Sequence, residues 1–173
     1  MYPTIMMLDT AKGRSILQYR YNHLDGAKEF AKRFIPPYSG AMFPWEDAFS
    51  GLNVCPIGVY TCKNEQHITG DISFALRQYW ANTHDKKWLA DSMDMINSMC
   101  EFWESRGRFF FSKESLYKSN NSLVVMKNNT IYVIDDVVPP DEYAVGVNNS
   151  VYTNVVSCIF DLKIEFVFKT LFF

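Results

Sequence analysis

The sequence predicts a mainly α-helical chain of antiparallel helix pairs with one β-hairpin set between two of its helical parts. Three observations carry that reading. Apolar residues recur at helical spacing in four stretches, Pro and Gly clusters fall between those stretches, and the segment 108–138 drops the helical period for short β-prone runs.

Residues 4–21 and 24–34 are predicted as the first two helices. Ile5, Leu8, Ile16 and Tyr19 fall loosely on one face of the first, which Gly13 weakens; Ala27, Phe30, Ala31 and Phe34 make a clearer stripe on the second. Pro36, Pro37 and Gly40 end the pattern. From Ala41 to Gly70 there is little periodicity, and an aperiodic stretch of that length in a compact domain is commonly functional. It holds Phe43-Pro44-Trp45-Glu46, Tyr60 and His67. A Trp-Glu pair suits a sugar, because an indole face stacks on a pyranose while a carboxylate accepts hydrogen bonds from hydroxyls. The plainer roles are a core Trp and a hydrogen-bonded structural His.

Ile72, Ala75, Leu76, Tyr79 and Trp80 keep a helical period, and Leu89, Met93, Ile96, Cys100 and Trp103 resume it after a start at Asp85, with Gly107 as the stop. These aromatic stripes are expected to be core. Leu123 to Met126 and Thr130 to Ile134 are β-prone around Lys127-Asn128-Asn129, which predicts a hairpin.

The hairpin leads into Pro139-Pro140-Asp141-Glu142-Tyr143, followed by Val147-Asn148-Asn149-Ser150-Val151-Tyr152-Thr153-Asn154. The prolines hold the entry extended, and the amides and hydroxyls run on into a predicted helix. An acid among Tyr, Asn and Thr can sit in a partly apolar pocket that keeps it protonated near neutral pH, which makes Glu142 a candidate general acid. The alternative is that Asp141 and Glu142 only cap the helix that follows.

Composition sets limits. The 173 residues are 48% hydrophobic and 16% aromatic, as in a globular chain, and the net charge of -2 with mixed signs gives no basic footprint for nucleic acid or an anionic membrane. Cys55, Cys62, Cys100 and Cys158 have neither metal-ligand spacing nor the density of a disulfide scaffold, so free thiols in a reducing, cytoplasmic setting are expected, with no metal or cofactor. No basic start followed by an apolar run and a cleavage site opens the chain. Asn120, Asn128 and Asn148 begin sequons that carry little weight in Asn-rich loops.

The Asp-Glu-Tyr block, the Trp-Glu block, Glu65-Gln66-His67-Ile68-Thr69-Gly70-Asp71-Ile72 and the stretch from Met1 to Arg33 together resemble family 65 of the glycoside hydrolases. The resemblance runs from about Tyr2 to Val156 and lies nearest a branch acting on glucosylgalactosyl-hydroxylysine. It implies part of an (α/α)6 barrel over residues 1–156, with a divergent tail at 157–173. It places the proton donor on Glu142 and the leaving-group side of the pocket on Trp45, Glu46 and Thr69, with Glu65 and His67 as further pocket residues. It implies an inverting hydrolase of an α-linked glucosyl disaccharide, glucosylgalactosyl-hydroxylysine or trehalose-like. A disaccharide phosphorylase and a non-catalytic carbohydrate-binding fragment are the alternatives. The family's catalytic base would lie beyond Phe173 and its glucose-binding Trp-Asp pair before Met1. Segment 108–138 is longer than the family pattern, and from Ile159 onward an alternating, charge-bearing tail stands where the family continues with a helix.

Overall fold

A computed structural model describes residues 8–56, 58–111, 126–127 and 130–158. Its helices are α1 (Thr10–Asn22), α2 (Leu24–Lys32), α3 (Thr61–Asn64), α4 (His67–Thr83), α5 (Lys86–Asp91) and α6 (Met93–Arg106). Strands β1 (Arg108–Phe111), β2 (Met126–Lys127) and β3 (Thr130–Val133) follow, and helix α7 spans 151–158.

The first helix does not use the face its apolar residues suggest. Gly13 and Leu17 are its buried positions, whereas Leu8 is 80% exposed and Ile16 and Tyr19 also face outward. Without a coherent stripe, the face is set by what α4 accepts: a small residue and one Leu spaced i, i+4. Ile5 lies outside the described residues. In α2 the expected stripe holds, with Ala27, Phe30 and Ala31 buried and Phe34 packed beside them.

Between α2 and α4 the chain threads the core in extended form. Ala41 N donates to Ser98 O on α6 (2.8 Å), Met42 N to Ala27 O on α2 (3.1 Å), and Phe43 N to the Thr69 hydroxyl on α4 (3.0 Å). Each buried amide thus has a partner, as burial requires.

The stripe Ile72, Ala75, Leu76, Tyr79 and Trp80 is buried along α4. The next helix is two. Asp85 caps α5 by accepting from Trp88 N (3.0 Å), and at Ser92 the axis breaks, the Ser92 hydroxyl donating back to Trp88 O (2.8 Å). Gly107 ends α6 as expected, and the Tyr132 ring occupies the space a side chain there would take.

The hairpin is present and larger than predicted. β3 pairs antiparallel with β2, Met126 opposite Ile131, and on its other edge with β1, Phe111 opposite Thr130, in the order β1-β3-β2. The Arg-Phe-Phe-Phe run of β1 shows no alternation, which is why its pairing was not foreseen. Leu123 to Val125 and the tail from Ile159 lie outside the described residues.

Cysteine usage is a correction. Cys55 and Cys62 form a disulfide, where free thiols were expected; a bend through Pro56 and Gly58 folds the two back to a Cα separation of 5.5 Å. Cys100 and Cys158 are not disulfide-bonded. No helix among the described residues is long and apolar enough to cross a membrane.

Candidate active site

The segment carrying Glu142 is a loop closed at its base and docked at one side. Val137 and Val147 bridge antiparallel through two backbone bonds of 3.0 and 2.9 Å. Asn148 Oδ1 accepts from Asp136 N (2.9 Å), and Asn149 N donates to Ile134 O (2.8 Å). Asp136 and Asn149 take positive φ, which Asn and Asp tolerate. Val138 N donates to Asn64 O (2.8 Å) and the Asn64 amide returns to Asp136 O (2.6 Å), so the loop hangs beside residue 65. At its tip Asp141 Oδ1 accepts from Tyr143 N (3.1 Å), and Asp141, Glu142 and Tyr143 are exposed. Neither acid caps α7. That role falls to Ser150, whose hydroxyl accepts from Thr153 N (3.4 Å).

Next to the loop's attachment at Asn64 is Glu65, only 3% exposed. Its Oε2 is buried without a partner among the described residues. Burial lifts its carboxyl above the ordinary range, the nearby His67 pulls it back, and the charge of Glu142 lifts it further. The two carboxyls are therefore within electrostatic reach of each other. Arg106, buried at the end of α6, donates to Gln66 Oε1 and Asp135 O and so ties the Glu65-Gln66 turn to the base of the sheet.

His67 opens α4 with its ring buried and Nδ1 2.8 Å from Asp71 Oδ2. Nδ1 donates to that carboxylate, and the buried Nε2 is without a partner among the described residues. Tyr152 of α7 donates to the other Asp71 oxygen (2.6 Å) and sets its ring edge-on to His67 (5.4 Å). Burial, that hydrogen bond and the Asp71 charge push the Tyr152 phenol up to about 12, so it stays a donor at all ordinary pH. Val156 fits against Gly70, which has no side chain to exclude it.

Trp45 is half-buried and Glu46 exposed, just beyond the threaded 41–43 segment. Thr69 is fully buried, with its hydroxyl committed to Phe43 N. The structure thus buries Glu65 and His67 near one another with the exposed Glu142 in electrostatic reach of Glu65, and it links Thr69 to the extended segment that precedes Trp45. Sequence reading missed Asp71 and Tyr152 as His67's partners, and it missed Asp47. The signal for Asp71 was its i, i+4 spacing from His67.

A mainly helical scaffold with carboxyls gathered on its interhelical loops is the architecture of the helical-barrel carbohydrate enzymes, and its helices are part of an (α/α)6 barrel. The chain belongs to glycoside hydrolase family 65: residues 1–166 match the glycosyl hydrolase family 65 central catalytic domain. It is 44% identical over 169 residues to a protein-glucosylgalactosylhydroxylysine glucosidase of Dictyostelium discoideum, covering 95% of this chain and 22% of that protein. Over 156 residues it is 36% identical to a kojibiose hydrolase of Flavobacterium johnsoniae, covering 89% and 20% respectively. Among solved structures, a putative kojibiose phosphorylase from human microbiome shares the fold with a TM-score of 0.76 at 21% identity, covering 99% of this chain and 22% of its own. The chain thus spans about a fifth of the length of these relatives.

Proposed function

We propose that this segment works within an inverting glycoside hydrolase that cleaves an α-linked glucosyl disaccharide, glucosylgalactosyl-hydroxylysine or a related sugar, with Glu142 as the general acid. The observation that supports the reading is the docking of the Pro-Asp-Glu-Tyr loop on Asn64, which leaves its exposed Glu142 within electrostatic reach of the buried Glu65. The likeness to a glucosidase and to a kojibiose hydrolase supports it.

In this mechanism Glu142 gives its proton to the glycosidic oxygen as the bond to the anomeric carbon breaks, and the departing sugar leaves as an alcohol. A second carboxylate, about 6.5–9.5 Å from the first, takes a proton from the water that attacks the opposite face. Trp45 and Glu46 hold the leaving sugar, one by stacking and one by accepting from hydroxyls. Thr69 contributes by fixing Phe43, and His67 lines the pocket next to Glu65. A phosphorylase differs in having phosphate replace the water.

The test is anomer-resolved NMR of glucose released by the full-length protein from glucosylgalactosyl-hydroxylysine and kojibiose, with and without phosphate. Free β-glucose appearing first, at a rate indifferent to phosphate, is the expected result. Glucose 1-phosphate formed only with phosphate establishes the phosphorylase, and α-glucose as first product excludes inversion.

A further inference from the structure

Among the described residues, Asp47, one residue past the Trp45-Glu46 pair, has a carboxylate held by three side chains. Its side chain is 5% exposed. It accepts from Tyr19 Oη (3.1 Å), from an Arg20 guanidinium nitrogen (3.1 Å) and from His23 Nδ1 (3.2 Å). Those three residues stand at i, i+1 and i+4 where α1 passes into α2. They brace one another: the Tyr19 and His23 rings meet edge-on at 4.3 Å, and the Arg20 guanidinium lies 5.5 Å from the centre of the Tyr19 ring. A buried carboxylate needs such donors to remain charged at acceptable cost.

The loop that Asp47 opens is also held at Asn53, whose amide donates to Cys62 O (3.5 Å). Val54 N returns to Glu46 O (3.1 Å), and Asp47 pairs with Asn53. Within the loop Ala48 is exposed and Phe49 is 99% exposed, so apolar packing does not set its course. Its second anchor meets the same helix junction: Gly51, at φ +71°, lies so close to His23 that an added Cβ would sit 2.5 Å from the His23 Cβ. These two attachments of the 46–54 loop, with the close approach of Gly26 on α2 to the backbone of Ser50 and Gly51, converge on the junction of α1 and α2. On the other side, Thr69 holds the chain at Phe43. Trp45 and Glu46 lie between these two fixed points.

We infer that Asp47 is a positioning residue for the leaving-group side of the site: clamped by Tyr19, Arg20 and His23, it fixes the direction in which Trp45 and Glu46 face the sugar that departs. The inference rests on the proposed role of that pair. Affinity for the leaving sugar then depends on a helix end that does not itself meet the substrate. The role is one of uniform binding, so its loss raises KM and leaves the chemical step alone.

The experiment measures kcat, KM and thermal midpoint in the full-length protein for Asp47→Asn, Trp45→Ala, Glu46→Gln and the Asp47→Asn/Trp45→Ala double variant. Asp47→Asn keeps the shape but gives up the charge. It is expected to raise KM ~10-fold with kcat within about twofold, the effect of removing one charge-assisted hydrogen bond. The double variant is expected to raise KM by less than the product of the two single effects, because part of Asp47's effect acts through Trp45 and the rest through Glu46. Tyr19→Phe, which removes one donor and keeps the ring, serves if Asp47→Asn does not fold; it is expected to raise KM ~2-fold. Unchanged KM in either variant, or KM effects that multiply in the double variant, overturns the inference. If Trp45→Ala and Glu46→Gln raise KM while Asp47→Asn does not, only the positioning role falls. If neither Trp45→Ala nor Glu46→Gln changes KM, the leaving-group assignment falls with it.

Discussion

Glu65 has almost no exposure and an Oε2 without a partner among the described residues, so ionising it costs free energy that an exposed carboxylate does not lose. Its folded-state pKa is raised above the ordinary 4.5, first by burial, and the native state therefore holds a proton that the unfolded chain releases. Stability falls as pH climbs from about that ordinary value to the raised one, because there the unfolded state binds fewer protons. Glu65→Gln removes this dependence. Thermal midpoints of the full-length protein at pH 4 and pH 7 should show the variant gaining on the parent at the higher pH only; an equal difference at both would mean that Glu65 binds its proton alike in the folded and unfolded states. Glu65 was legible only as a pocket candidate, since nothing in Glu-Gln-His announces burial. Asp47 was not legible at all. Its donors lie 24 to 28 residues upstream, and a carboxylate so distant from its partners leaves no periodic trace.

At the scale of elements, α2 and α4 could be read with their faces because each buries one continuous apolar stripe, whereas α1 could be read as a helix but not by its face, which buries Gly13 and Leu17. The site's helices were harder to place. α7 begins at 151, and the side chain that caps it is Ser150 rather than either of the two acids that precede it. Ser150→Ala should cost about 1 kcal/mol, the usual worth of a cap. Because Tyr152 rides on that first turn and steadies Asp71 and His67, the same change should also raise KM. Circular dichroism melts alongside kinetics separate the two effects; a lost cap with unchanged KM would show that α7's first turn does not govern the pocket. Gly51→Ala is a second test at this scale. At φ +71° with His23 against it, a side chain is strained and obstructed, and a loss of roughly 1–3 kcal/mol is expected in the same melts. A neutral substitution would mean that the 46–54 loop can move off His23 without loss.

For the whole molecule, the described residues hold two hydrophobic clusters, one where α1, α2, α4, α5 and α6 meet and one where α2 and α6 meet β3 and Val137. They also leave Leu8, Phe74, Val151 and Val155 open to water. Family membership explains that surface, since these helices are part of a larger barrel domain. Residues 1–173 expressed alone are expected to self-associate and to release no measurable glucose, as size-exclusion chromatography and a coupled glucose assay would report. A monomer with enzymatic turnover would place both catalytic carboxylates within this segment, and Glu46 would be the first to examine. The central claim is that Glu142 supplies the proton. It is tested most directly by Glu142→Gln in the full-length protein, assayed on an unactivated disaccharide and on an aryl α-glucoside with a good leaving group. Gln keeps the shape and has no proton to donate, so turnover of the disaccharide should fall by ~10²–10⁴-fold with binding retained, and the aryl glucoside should suffer far less. Near-native turnover of the disaccharide, or equal loss on both substrates, would contradict the account.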